Sequence, residues 1–356
     1  MTARLMRLRT IVLMAALLAA GRTAAAQPPA QARTAREILK IADDVYRARN
    51  GQWYSFFVVT TEGIILADPL NTDFAKWLKA QLDERFPGRP VRYVVYSHSH
   101  FDHAEGGTVF AETARFAAHE GMLRNMDGRY PHMPGDMVDR NNTGQFEVEE
   151  ILGPAKAHPG ICGMGENFFR MRDRNQDGRM TPAEYYAEVR RPDIVYSDRM
   201  QITLGGKTVE FIHPGKNHAN DGTVLLLPAE RIAFSADFPA DALVRESLRS
   251  LPSACGNFDQ HPMTEWIRSY KAIEELDFDA LAGGHGNTLF KKADVAEARQ
   301  FFEDLIEAVS LGMSDGKNLE DLKRTIPLEK YKDWAFYERL REDNIEAAYN
   351  NLKTYR

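Results

Sequence analysis

The run SHSHFDHAEGG at residues 97–107 places His98, His100, Asp102 and His103 within six positions of a chain that has ten histidines in 356 residues. It follows VRYVVYS, a compact run rich in β-branched and aromatic residues that reads as a strand. Side chains alternate along an extended segment, so His98 and His100 point the same way. A bend just after them brings Asp102 and His103 round to a second position. One short segment can therefore serve two adjacent metal ions. Imidazole and carboxylate suit zinc, and also iron or manganese.

A tetrahedral zinc needs further protein ligands and an open position for water. Candidates sit where other strands end: His218 in PGKNHANDG, Asp237 in FSADFP and His285 in AGGHGN. Each lies in a Gly- or Pro-rich turn after an apolar run, as expected for ligands gathered at one edge of packed sheets. His119, His132, His158, His213 and His261 lack such settings and read as ordinary core or surface residues.

The rest of the chain alternates strand-like and helical patterns. AREILKIADDVYRARN reads as a short helix, WYSFFVVTTEGIILADP as two strands joined at Glu62-Gly63, and FAKWLKAQLDERF as a helix closed by FPGRP. RFAAHE reads as a further strand. After a polar stretch over about 120–195, strands return with RMQITL, KTVEFIHPG, GTVLLLP and RIAFSADFP. MTEWIRSYKAIEEL is an amphipathic helix, FDALAGG a short strand, and the remainder is helical with a break near 312–318. Strands interleaved with helices on both sides of an insertion imply a layered α/β domain of the α+β type.

H-x-H-x-D-H, then a histidine in a loop, an aspartate after a strand and a histidine in GGHG resembles the metallo-β-lactamase superfamily, over about residues 50–290. The resemblance implies an αββα sandwich with metals at one edge of its two sheets. It implies that His98, His100 and His218 hold a first zinc, that Asp102, His103 and His285 hold a second, and that Asp237 bridges them. It also implies an enzyme: two divalent ions give a hydroxide near neutral pH that attacks a carbonyl, with Asp102 as the catalytic residue that orients it and passes on its proton. The products are those of amide, ester, lactone or thioester hydrolysis. Several β-lactam-hydrolysing members carry Cys at the bridge and a Lys soon after it; here FPADALVRES follows Asp237 with no Lys, which weakens that substrate class without removing it. The aspartate bridge is similar to lactonases and to glyoxalase II. A non-catalytic calcium-binding protein on the same fold is the reading from another class, and it fits poorly with a full set of seven ligands.

DRNQDGRMTPAE at 173–184 satisfies the EF-hand pattern D-x-[DN]-x-[DN]-G-x5-E. Asp173, Asn175 and Asp177 supply oxygens at positions one, three and five, Arg179 its carbonyl at seven, Thr181 position nine and Glu184 a bidentate carboxylate at twelve. Gly178 allows the sharp turn and Met180 fills the apolar eighth place. Thr181 and Glu184 also form a capping box, with Pro182 first in the helix. The pattern finds no second loop, so the expectation is one calcium of modest affinity, with a structural role beside the two zincs.

MTARLMRLRT, then IVLMAALLAA, then GRTAAAQ has the basic start, short apolar run and A-x-A site of a secretory signal peptide over 1–26. The expected organisation is that leader, a metallo-β-lactamase-like domain over 27–290 with its insertion, and a helical C-terminal extension over 291–356. Cleavage removes four arginines and no acid, moving the formal charge from −6 to −10. An acidic chain argues against nucleic acid as partner. The expectation is a periplasmic or secreted protein with a small-molecule substrate and no stable membrane insertion. Cys162 and Cys255 are compatible with one disulfide there.

Overall fold

The computed structural model describes residues 35–129, 139, 141, 143–150, 166–239, 249–252, 261–286 and 288–355. The leader, Cys162, Cys255, His132 and His158 lie outside them. No helix among the described residues is long and apolar enough to cross a membrane.

The first half of the chain builds one sheet. β1 (Arg36–Ala42), β2 (Val45–Asn50), β3 (Trp53–Thr60) and β4 (Gly63–Ala67) run antiparallel. The segment 36–50 is thus a hairpin and not the expected helix. Its turn falls at Asp43-Asp44, with Asp44 in the left-handed region at φ 61°. Val45 and Ala48 are fully buried and face different layers, because β2 is paired on both sides and packed on both faces. That pairing overrides the helical spacing of Ile38, Leu39, Ile41 and Val45. The next hairpin turns at Thr61-Glu62, with Gly63 opening β4 opposite Thr60.

Helix α1 (Thr72–Arg85) crosses back over the sheet. Asn71 caps it by accepting the Phe74 N–H at 3.0 Å, and Phe74, Ala75, Leu78 and Leu82 form its buried stripe. β5 (Val91–Val95) then pairs parallel to β4. Beyond it come helix α2 (Phe101–Ala104), β6 (Arg115–His119) and helix α3 (Glu120–Met126). Within the insertion, α4 (Glu166–Arg172) and α5 (Pro182–Tyr185) flank loop 173–184, and β7 (Phe146–Glu147) pairs antiparallel with β8 (Arg179–Met180). β9 (Ile194–Tyr196) closes the first sheet, whose order is β1-β2-β3-β4-β5-β6-β9.

The second sheet runs in order through β10 (Arg199–Leu204), β11 (Lys207–Ile212), β12 (Val224–Leu227), β13 (Ile232–Ser235), β14 (Ala280–Gly283) and β15 (Leu289–Phe290). Helix α6 (Met263–Glu274) lies between β13 and β14, and helices α7 (Lys292–Ser314), α8 (Leu319–Thr325) and α9 (Tyr337–Thr354) follow β15. Strand alternation sorts side chains into layers. Phe56, Val58, Ile65 and Val95 of the first sheet meet Val209, Phe211, Leu225 and Phe234 of the second. Phe57, Leu66 and Val94 face α1, while Val224, Ala233 and Leu281 face α6, α7 and α9. The result is helix, sheet, sheet, helix.

Phe56 and Phe234 stack across the two sheets, with ring centroids 5.1 Å apart. Phe56→Ala is expected to destabilise the metal-free protein by about 3–5 kcal/mol in urea unfolding. A cost under ~1 kcal/mol would mean that the site collapses around the deletion, contrary to a tightly filled seam.

Candidate metal centre

The strand ends of both sheets converge at one edge. His98 and His100 follow β5, and α2 carries Asp102 and His103. His218 lies in the loop after β11, Asp237 just after β13, and His285 just after β14. All seven residues singled out in the sequence come together. His98, His100, His218 and Asp237 form one set able to hold a metal, and Asp102, His103 and His285 form another; within each set the ligand atoms lie within 4.8 Å of one another.

Asp237 stands between the sets. Its Oδ2 is 3.3 Å from His98 Nε2, 3.3 Å from His218 Nε2 and 3.7 Å from His100 Nδ1. Its Oδ1 is 2.7 Å from His285 Nε2 and 3.1 Å from His103 Nε2. His103 Nε2 is also 3.7 Å from Asp102 Oδ2 and 3.3 Å from His285 Nε2. His98 Nε2 and His100 Nε2 are buried and make no hydrogen bond. Five imidazoles and two carboxylates gathered this closely, with ring nitrogens left over, fit a pair of divalent ions.

The charges within the cluster respond to this crowding. Burial, then the neighbouring His98 and His218, hold the His100 pKa well below its ordinary value. Burial also opposes charge on His103, but Asp237 and Asp102 lift its pKa well above normal. Burial works against the Asp237 carboxylate, yet His103 and His285 hold its pKa well below the usual range.

A second layer orients the ligands. Asp68, fully buried after β4, sits 3.1 Å from His103 Nδ1 and accepts from the Ser97 N–H at 2.8 Å and the Ser97 hydroxyl at 2.7 Å. Ser97 Oγ is in turn 2.9 Å from His98 Nδ1. Acceptors at both Nδ1 atoms would leave Nε2 of each ring free to offer its lone pair to a metal. Asp68 is held at φ 55°, a left-handed strain of the kind that persists where surrounding contacts over-determine it. Trp53 Nε1 donates to Asp102 Oδ2 at 2.9 Å. A Cβ on Gly284 would come within 2.8 Å of the Ala236 Cα and 3.0 Å of His103 Cε1, so the GGHG turn needs glycine there.

Sequence reading missed Asp68, Ser97 and Trp53. The only local signal for Asp68 is a carboxylate closing the apolar run GIILADP, the same position at the end of β4 that the histidine run takes after β5. Asp68→Asn is expected to lower metal affinity at the Asp102–His103–His285 set by roughly 10–100-fold, read by zinc titration against a chelator. Unchanged affinity would remove Asp68 from the site. His119 and His213 stack on each other at 4.0 Å, each on a backbone carbonyl, and stand apart from both sets. Burial, then His213, pulls the His119 pKa down to about 4.

The family model of the metallo-β-lactamase superfamily matches residues 49–285. The 2,4-dinitroanisole O-demethylase subunit alpha of Nocardioides sp. is 21% identical over 247 residues, 68% of this chain and 55% of that protein. The linear primary-alkylsulfatase of Pseudomonas sp. is 22% identical over 247 residues, 69% of this chain and 43% of that protein. In fold, the chain is similar to the stereoselective inverting sec-alkylsulfatase Pisa1 from Pseudomonas sp., with TM-score 0.59 and 17% identity over 90% of this chain and 51% of that one. This chain thus spans about half the length of these relatives. With two packed sheets, a His/Asp cluster at their shared edge and the family match over residues 49–285, the chain belongs to the metallo-β-lactamase superfamily.

Proposed function

We propose that the protein is an exported dinuclear zinc hydrolase that adds water across an ester bond of a small substrate. The observation that carries this reading is Asp237, whose two oxygens face two separate ligand sets. His98, His100 and His218 would hold one ion, Asp102, His103 and His285 the other, and Asp237 both. Bound there, two divalent ions supply a hydroxide near neutral pH and Lewis acidity toward a substrate oxygen. Asp102 has the most exposed side chain of the seven, at 23%, and Trp53 fixes its carboxylate. In this reading it would orient the attacking water and pass its proton outward.

Carboxylic esters and lactones are the first substrate class, with amides and thioesters beside them. The names of the Pseudomonas relatives favour a second class, alkyl sulfate esters. A β-lactam is the weaker fit, because no lysine follows Asp237 in FPADALVRES. Metal analysis of the purified protein, with a lactone, nitrocefin and an alkyl sulfate assayed on the same sample, tests this. About two zinc per chain with acid release from the lactone supports the acyl reading, and sulfate release supports the other. No zinc, or a single iron, overturns the dinuclear reading.

We also assign one calcium to loop 173–184, through Asp173, Asn175, Asp177, the Arg179 carbonyl, Thr181 and Glu184. Gly178 takes the left-handed turn at φ 81°, and Asp173 accepts the N–H of Asp177 at 3.1 Å and of Gly178 at 2.9 Å. The Thr181–Glu184 capping box is present as well. Asp102→Ala is expected to abolish turnover and keep calcium, while Glu184→Gln is expected to weaken calcium and keep zinc. Zinc loss in Glu184→Gln would mean that the zinc site depends on the calcium loop. Export rests on the leader, and N-terminal sequencing of the secreted protein is expected to read Gln27 first.

A further inference from the structure

Resting on the calcium reading of loop 173–184, we propose that residues 139–150 form a second calcium site paired with it, and that the pair clamps the helix carrying Asp102 and His103. The segment reads DRNNTGQFEVEE. Asp139, Asn141 and Thr143 fall at positions one, three and five, Gly144 at six, Phe146 at eight, Glu147 at nine and Glu150 at twelve. Thr143 stands where the pattern asks for Asp or Asn, which is why a pattern search reports a lone loop. A hydroxyl still offers an oxygen there, and Glu147 adds a carboxylate at nine.

The two segments share three backbone-to-carboxylate contacts and the left-handed glycine. The position-one carboxylate accepts the N–H of residue five (Thr143 at 3.0 Å, Asp177 at 3.1 Å) and of the glycine (Gly144 at 2.7 Å, Gly178 at 2.9 Å). The glycines share φ values of 79° and 81°. The position-twelve carboxylate accepts the N–H of residue nine, Glu147 at 3.2 Å and Thr181 at 2.9 Å.

Two further observations, on how the loops pair and how their first carboxylates are buried, point to cations. The eighth residues, Phe146 and Met180, face each other across β7 and β8, so the loops are joined back to back, and both side chains are buried in a core shared with Phe169 and Tyr185. Asp139 is 2% exposed and Asp173 is 7% exposed, and neither forms an ion pair with a cationic side chain among the described residues. Two nine-tenths-buried carboxylates, each held only by backbone N–H groups and without counter-charge among the described residues, leave negative charge that a divalent ion would neutralise.

The pair reaches the catalytic edge through the residues flanking loop 173–184. Arg172 precedes Asp173; it ion-pairs with Glu105, donates to the Tyr185 carbonyl at 2.9 Å and lies over the rings of Phe101 and Phe168 at 4.7 and 4.5 Å. Tyr185 follows Glu184, and its hydroxyl accepts the Phe101 N–H at 3.3 Å. Phe101 is the first residue of α2, next to Asp102. Ordering of the loops therefore bears directly on where Asp102 and His103 stand, which makes Arg172 and Tyr185 positioning residues.

The test titrates zinc-loaded full-length mature protein with calcium to about 5 mM, above the roughly 10⁻⁴–10⁻³ M range of extracellular modules. Equilibrium dialysis reads stoichiometry, and hydrogen exchange reads the Phe101 amide. The expected result is two calcium per chain, loss of one in Glu150→Gln with zinc unchanged, and calcium-dependent protection of Phe101. Thr143→Asp, which completes the motif, is expected to tighten the second site, so the proposal does not depend on a loss-of-function variant folding. One calcium that is lost in Glu184→Gln and kept in Glu150→Gln overturns the second site and leaves the single-loop assignment standing. No calcium overturns both. Two calcium with Phe101 exchange unchanged overturns the clamp.

Discussion

Asp237→Ala is expected to empty both metal positions and to lower turnover by more than about 100-fold, beyond the roughly 10–100-fold effect of removing a residue that only supports a ligand. The reason is the division of its carboxylate, Oδ2 toward His98 and His218 and Oδ1 toward His103 and His285. His218→Ala, in contrast, touches only the Oδ2 side and is expected to leave the second position filled. Zinc content by mass spectrometry, with circular dichroism to confirm folding, separates the two variants. An Asp237→Ala protein that still holds two zinc would show that the carboxylate is not the bridge.

The second large effect is expected at Arg47, which is fully buried in β2. Its Nη2 donates to the carbonyls of Gly283 at 2.7 Å and Gly286 at 2.6 Å, one on each side of His285, and its guanidinium lies 3.9 Å over the Tyr54 ring. Arg47→Met keeps much of the packing and removes the donor from both carbonyls. At about 1–3 kcal/mol for each buried group left unsatisfied, the expected destabilisation is about 2–6 kcal/mol. Zinc affinity at the Asp102–His103–His285 set is expected to fall with it, because His285 loses its frame. Urea unfolding and zinc titration read the two effects. Lost stability with unaltered zinc affinity would assign the positioning of His285 to the tight Gly284 contact alone.

The ligand-bearing turns were legible because each combines a short apolar strand with a residue type rarely needed in a solvated loop: His98 after VRYVVYS, Asp237 after RIAFS, His285 after ALAGG. The layered architecture was legible for a related reason, since continuous apolar runs such as VLLL can be buried on both faces only between layers. Other features were not. The hairpin 36–50 carries apolar residues at helical intervals, and its extended form comes from pairing with β3, a partner remote from the local pattern. Arg47 reads locally as one more surface charge, and its burial depends on a turn 236 residues away. The calcium loop proposed at 139–150 escaped for another reason: a single threonine breaks a pattern whose physical requirement is only an oxygen.

The seven residues of the candidate metal centre do not belong to one sheet. His98, His100, Asp102 and His103 follow a strand of the first, and His218, Asp237 and His285 follow strands of the second. Ions held there would act as rivets across the seam, and an unfolded chain cannot assemble them. By mass action, each tenfold rise in free metal above the dissociation constant would add about 1.4 kcal/mol of resistance to unfolding per ion. Chelation would then do more than silence the chemistry: it would lower the resistance of both joined sheets to unfolding, and the protein's lifetime among proteases would track the metal supply.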